Sequence, residues 1–480
     1  MTVQSSIPLL IISGAACLAL LLAVIPHATI RRMGPSAVGG LGIFAALVVC
    51  VVRWGDRTVG YAGNVYEDRL SLLISILVLL AAGATIGLSL REPASVDRRG
   101  EYVGLVLLST AGMILTAQAS DLIVIFLGIE LLSVALYILC ALEVWRSRSL
   151  EAGLKYLITG AVGASVLLYG LAFLYGATGS TALADISAKL GDVSLTSDPL
   201  VTAAMVLIVA GLAFKASAAP FHMWAPDVYE GAPTPITAFM ATATKVAAFA
   251  AFLRIFVGTI PDGRGDWRVV IAIVAAASIL IGNIAALRQQ NVKRMLAYSG
   301  VAQAGYLLIG VAAGSVVGTR ATLYYLIAYV AMTLGMFAVV IHREREVEDG
   351  DNVEAFRGYG RARPAMGIAA TVCLLSLAGF PPLSGFIGKF LLFGAAVDHD
   401  LTWLAIIGAV GSVISLGYYL RLVATMWMDE PKDTSARRLP VPGAVGLVAV
   451  TCAVVVVGLA LAASGVLDAS SGAAETLITP

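Results

Sequence analysis

FKASAAPFHMWAPDVYEGAPTPITAFMATATK, from Phe214 to Lys245, decides the fold. It sets Lys215, His222 and Lys245 inside apolar sequence and interrupts the run at Pro220. A charged side chain at mid-bilayer costs at least ~2.5–3.5 kcal/mol, so such residues mark ion or proton pathways. Proline inside a helix removes a backbone hydrogen bond and clashes with the preceding turn. Irregular backbone at membrane depth is tolerated only where protein buries it or where it lines a wet cavity. The stretch therefore reads as a broken membrane helix carrying titratable groups, followed by a helix with a central lysine.

The rest of the 480-residue chain is of the same kind, with mean hydropathy +0.92, 59% hydrophobic residues and 13% charged ones. A spanning helix needs about 20 apolar residues. Fourteen such stretches occur, near 7–26, 35–52, 70–90, 102–118, 121–142, 150–176, 200–230, 236–258, 269–287, 295–313, 321–341, 365–396, 402–428 and 442–463. The fold class is an all-α polytopic membrane protein. The formal net charge of +1 carries no nucleic-acid signal. Cys17, Cys50, Cys140, Cys373 and Cys452 show no CxxC pairing, so neither a disulfide framework nor a cysteine metal site is indicated. The first apolar run lacks a basic preceding region, which points to a retained helix rather than a cleaved signal peptide.

Lysine and arginine set orientation. With the N-terminus outside, the inside loops hold eighteen basic residues and the outside loops seven, so both termini are expected outside. Self-similarity appears at nearly one spacing. Leu154–Ile158 resembles Leu323–Ile327 at 169 positions, Leu212–Phe221 resembles Leu377–Phe386 at 165, and Phe252–Ile255 resembles Tyr419–Leu422 at 167. The offset equals five spans, an odd number, so the second copy is inserted upside down. Helices 4–8 and 9–13 are expected to form inverted repeats. Each has a broken helix, at Pro220 and at Pro381-Pro382. The expected division is 1–100 for helices 1–3, 101–260 for the first repeat, 261–430 for the second, and 431–480 for helix 14 and a tail.

Glu130 lies mid-span in SDLIVIFLGIELLSVALYIL and must be neutral, paired or hydrated; Lys215 and Lys155 are the candidate partners. Burial disfavours a charged lysine and a nearby carboxylate favours it, so moving the carboxylate can switch the proton. A histidine such as His222 suits a relay between protonated and free states, though a hydrogen-bonded structural role remains open. Lys245, flanked by Thr242 and Thr244 that could hold waters, and Lys389 are too far from their helix ends to snorkel. For Lys155, nearer the inner face, snorkelling competes evenly with function. Arg254 and Arg421 are expected to be interfacial anchors, Asp121 and Glu143 solvated rim charges, and HREREVEDGDNVEAFRGYGRARP an inside loop. No signature for nucleotide, flavin, iron–sulfur or zinc is present, so the chain has no redox chemistry unaided.

At the level of motifs, Phe214–Lys245, NVKRMLAYSGVAQAGYLL (Asn291–Leu308) and LAGFPPLSGFIGKF (Leu377–Phe390) resemble the antiporter-like membrane subunits of the proton-pumping NADH–quinone oxidoreductase, respiratory complex I. The resemblance covers nearly the whole chain. It implies proton translocation coupled to quinone reduction, with Glu130, Lys215, Lys245 and Lys389 on the family's acid and lysine positions and His222 on its linking histidine. Lys389 and the chain's end soon after the fourteenth span fit the N-type branch, the counterpart of mitochondrial subunit 2. Gln303 departs from the histidine that many relatives carry, and glutamine does not titrate. The resemblance further implies a bacterial plasma membrane and no cofactor in this chain, with flavin and iron–sulfur clusters in partner subunits. Expected neighbours are an M-type antiporter-like subunit, the small membrane subunits, the lateral helix of an L-type subunit, and lipids; quinone is used by the complex. The alternatives are a D-type subunit of a multi-subunit sodium/proton antiporter, which shares the fold and lysines, and a scaffold with static ion pairs.

Overall fold

The computed structural model describes residues 6–60, 63–91, 98–191, 198–260, 267–430 and 440–478. Of the basic residues behind the charge asymmetry, Arg264, Lys432, Arg437 and Arg438 lie outside the described residues. In chain order the helices are α1 (Ile7–Val24), α2 (Ala28–Val52), α3 (Arg69–Leu88), α4 (Arg99–Gln118), α5 (Leu122–Cys140) and α6 (Ser147–Thr178). A short α7 (Leu183–Leu190) precedes the first broken crossing, α8 (Pro199–Ala216) and α9 (Trp224–Gly231). Then come α10 (Thr234–Val257), α11 (Trp267–Leu287), α12 (Val292–Ala312) and α13 (Val316–Glu346). The second broken crossing is α14 (Pro364–Ala378) with α15 (Ser384–Val397), followed by α16 (Thr402–Trp427), α17 (Gly443–Leu461) and α18 (Ala463–Ile478).

Among the described residues, 13 helices are long and apolar enough to cross a membrane, and α14 with α15 completes the fourteenth crossing. The all-α polytopic class and the two inverted five-helix repeats, α4–α10 and α11–α16, are the architecture. Helix α10 is buried along its whole length and α12 and α13 nearly so, whereas α1 and α17 present most of their surface outward. The outward helices are the more uniformly apolar ones, as lipid contact requires, while α10 and α12 carry polar residues that surrounding protein must cover. The three innermost helices thus form the wall on which the charged residues meet.

The two breaks are copies. Helix α8 ends at Ser217 and α14 at Gly379, both in the left-handed region with φ 58° and φ 85°. The amide of Ser217 donates to Phe214 O and that of Ala218 to Ala213 O; Gly379 donates to Ser376 O and Phe380 to Leu375 O. Every member of this pattern is displaced by 379 − 217 = 162 positions. The sequence match at 165 is therefore three residues out of register, because Leu, Ala and Phe recur too often in apolar sequence to fix an alignment.

Several expectations are corrected. Arg254 is no interfacial anchor: it is 5% exposed and makes a bidentate pair with Asp68 at 2.8 Å and 2.8 Å. It also donates to Ala117 O, at the C-terminal end of α4, while Arg421 donates to Leu287 O and Gln289 O, at the end of α11. Both arginines thus cap the first helix of their own repeat, satisfying carbonyls that a helix end leaves unpaired. Asp121 and Glu143 are buried, Asp121 capping α5 through the amide of Ile123 and Glu143 pairing with Arg146 at 2.6 Å. The expected inside loop begins as helix, since α13 runs to Glu346, which pairs with Arg343 at 3.0 Å and Arg363 at 2.8 Å. The tail is the helix α18, and a hairpin, β1 (Thr58–Gly60) and β2 (Val65–Glu67), fills the loop after α2.

Candidate functional site

Lys215 ends α8 inside the protein, where its Nζ donates to Ser133 Oγ at 2.6 Å and Tyr156 OH at 3.3 Å. Ser133 stands one turn after Glu130 on α5. Glu130 and Lys215 do not touch: they line one cavity of about 10 Å³ together with Ser133, Tyr137 and Phe214. That volume is about the minimum for one water. Glu130 is half-buried, beside the exposed Leu127 and Leu131. Lys155, its other candidate partner, is placed elsewhere. It is half-exposed and pairs with Asp227 at 2.9 Å and Glu151 at 2.7 Å. Arg294 extends that rim network, reaching Asp227 at 2.6 Å and Glu230 at 3.1 Å.

The next lysine meets the first break. Lys245 Nζ donates to Ala216 O at 2.5 Å, one of the carbonyls that α8 leaves free. Gly300 on α12 faces it, where an added Cβ would meet Lys245 Cε and Tyr329 OH at 3.5 Å, an ordinary contact. A π-helical turn, Met240–Thr244, leads into the lysine, and such turns concentrate at functional sites. Thr242 and Thr244 donate back to Ala238 O and Met240 O on their own helix. His222 is buried just beyond the break; its ring lies 6.1 Å from that of Tyr298, and its Nδ1 has no hydrogen-bond partner.

From Gly300 the polar groups continue along α12. Ser299 and Tyr419 share a hydrogen bond. Gln303 Nε2 donates to Tyr419 OH at 3.3 Å and Leu377 O at 3.2 Å, and Tyr325 OH donates to Gln303 Oε1 at 2.5 Å. Lys389 closes the series: its Nζ donates to Leu377 O at 3.0 Å and Ala378 O at 3.1 Å, 4.3 Å from the Tyr306 ring centre. Ala378 is Ala216 displaced by the same 162 positions. Two lysines from non-equivalent helices therefore meet equivalent carbonyls at the two breaks. Lys215, Lys245, Gln303 and Lys389 form one buried line through the protein; Lys155 stands off it.

Sequence reasoning passed over Ser133, Tyr156, Ser299, Tyr325 and Tyr419. Their signal was available: a hydroxyl inside a span facing a charged helix is either bonded to its own backbone or part of a network. Among the described residues no group of three or more His, Cys, Asp or Glu side chains could hold a metal ion.

Residues 119–415 match the family described as NADH:quinone oxidoreductase/Mrp antiporter, TM. The chain is 42% identical over 394 residues to NADH-quinone oxidoreductase subunit N of Trichlorobacter lovleyi, covering 82% of this chain and 81% of the relative. It is 43% identical to subunit N 2 of Roseiflexus castenholzii, over 95% of this chain and 91% of the relative. It superposes on a chain of respiratory complex I from Thermus thermophilus with TM-score 0.83 and 36% identity, covering 97% of this chain and all of that one. An Mrp complex from Dietzia shares the fold at TM-score 0.89 but only 24% identity, so it shows the fold alone. The chain belongs to the family of antiporter-like membrane subunits, and within it to the subunit N branch of the NADH–quinone oxidoreductases. The sodium/proton antiporter alternative is not favoured.

Proposed function

We infer that this chain is the proton-translocating, antiporter-like subunit N of a respiratory NADH–quinone oxidoreductase, and that the buried line carries the protons. In this reading Glu130 modulates Lys215, Lys215 and Lys245 hold protons on either side of the first break with His222 beside it, and Lys389 holds one at the second break. Lys155 belongs to the ionic rim from which protons are drawn. The observation that carries the reading is the pair of lysines on equivalent carbonyls, Ala216 O and Ala378 O. Backbone oxygens replace a carboxylate there, so each lysine can lose its proton without stranding a buried anion. Flavin, iron–sulfur clusters and quinone belong to the partner subunits in this proposal. The exposed apolar face around Glu130 suits a cover from an M-type neighbour, with the small subunits, an L-type lateral helix and lipid around the remainder. The segment division at residues 100, 260 and 430 follows the same repeat symmetry.

The test is redox-driven proton uptake by reconstituted complex at matched assembly. Glu130→Gln is expected to weaken pumping because Lys215 loses its modulating charge, whereas Glu130→Asp keeps the charge and retains more activity. Equal pumping by the two variants overturns the modulating role.

For orientation, we propose that the Arg343–Arg363 loop faces the cytoplasm of a bacterial cell and that both termini lie outside, on the strength of the lysine and arginine bias. A thiol introduced by Glu354→Cys is expected to stay unlabelled when intact cells meet an impermeant reagent. Labelling from outside inverts the assignment.

A further inference from the structure

A cavity of about 640 Å³ opens on the face that carries the β hairpin. Its walls come from the hairpin, the end of α4, α7, the end of α10 and α18, with Ser187, Thr259 and Thr476 among them. Val59 and Ala188 at its edge are exposed, whereas Glu67 on its lining is only 1% exposed. Neither carboxylate oxygen of Glu67 accepts a hydrogen bond, although Arg53 Nε stands 3.0 Å from Oε1. A buried carboxylate held by one ion pair and by no hydrogen bond, next to a cavity of this size, calls for an explanation beyond packing. The neighbouring residue, Asp68, is held by Arg254, which lies nine positions after Lys245 on α10, about 13 Å along the helix axis. Below Asp68 the hydroxyls of Ser71 and Ser75 continue for two turns, Ser71 donating to Asp68 O and Ser75 to Ser71 O. α10 packs against α3.

We propose that this cavity is the port through which the first repeat exchanges protons with water on the hairpin face, and that Glu67 is its proton-exchanging group. The inference rests on the relay reading above. Only O–H bonds change: cavity water gives a proton to the carboxylate or takes one from the carboxyl. Burial pushes the Glu67 pKa up to about 7, Arg53 opposes that, and Asp56 and Asp68 add to it. Both protonation states are then populated near neutrality. The other groups facing it or lining the cavity are Cys50, Arg57, Tyr66 and Arg254.

The test uses the assembled complex in vesicles whose lumen and bulk pH are set separately. Glu67→Gln is expected to lose most redox-driven proton uptake and the dependence of the remainder on pH at the hairpin face. Glu67→Asp is expected to keep part of both. Parental pumping and pH dependence in Glu67→Gln overturn the proposal. Should Glu67→Gln fail to assemble, Ser187→Cys decides: a bulky sulfonated maleimide is expected to label it and slow pumping, with the unsubstituted complex as control. No labelling, or labelling without effect, overturns the port. Lys245→Met in the same assay separates the two readings. If Lys245→Met pumps fully, the relay falls; if it is blocked while Glu67→Gln pumps normally, the port alone falls.

Discussion

Lys389→Met is expected to abolish proton transfer through the second repeat. The side chain is nearly isosteric along its stem, so the fold around Tyr306 is retained and only the proton-holding group is lost. Lys389→Arg is expected to block transfer as well, since a guanidinium stays protonated where a desolvated amine can shed its proton. Lys389→His keeps a titratable nitrogen and is expected to retain part of the activity. The measurement is proton uptake driven by NADH oxidation, in vesicles, at matched assembly. Full pumping by Lys389→Met would make Lys389 a structural charge and send the protons along another path. The order Met ≈ Arg < His is what separates proton storage from simple charge, because Arg preserves the charge and His does not.

The largest loss of stability is expected from Asp68→Ala. Arg254 would be left buried with its charge unopposed, a change worth about 3–5 kcal/mol when one partner of a buried pair is removed. Asp68 also caps α3, its side chain accepting from Ser71 N at 2.8 Å, and losing a cap adds about 1 kcal/mol. The double variant Asp68→Ala/Arg254→Leu removes both charges and is expected to recover most of the first loss, leaving the cap and the unmet Ala117 carbonyl. The midpoint of thermal disassembly of the purified complex reports both. A double variant as labile as the single one would mean that the pair is not what holds α3, α4 and α10 together.

Much of this architecture is legible from residues alone because the bilayer imposes a length, and the apolar runs meet it one after another. Pro220 and Pro381-Pro382 announce the breaks because each sits beside a charged residue inside a span; a proline by itself does not, since Pro35 lies within the unbroken α2. Other features leave no such mark. The partner of Arg254 is 186 positions away, and an arginine at a span end looks the same whether it reaches water or a buried Asp68. The acceptors of Lys245 and Lys389 are backbone oxygens, which carry no residue identity at all. Helix α18 has no apolar run to betray it, and the hairpin's strands are three residues each. Glu130 and Lys215 are legible as neighbours, but nothing in the sequence says that Ser133, while donating to Ile129 O on its own helix, also accepts from Lys215 and so stands between them.

The two helix breaks also change what kind of charge the interior can hold. A cation embedded among apolar helices ordinarily recruits an acid, and the resulting salt is permanent: erasing either member strands the other, as at Asp68 and Arg254. At Ala216 and Ala378 the counter-charge is instead the negative pole of a severed helix, fractional and fixed in the main chain. It greets an ammonium group, and it tolerates an amine, since terminal carbonyls are unpaired at every helix end. In the proposed relay these are the two places where a positive charge comes and goes without a matching anion having to follow it.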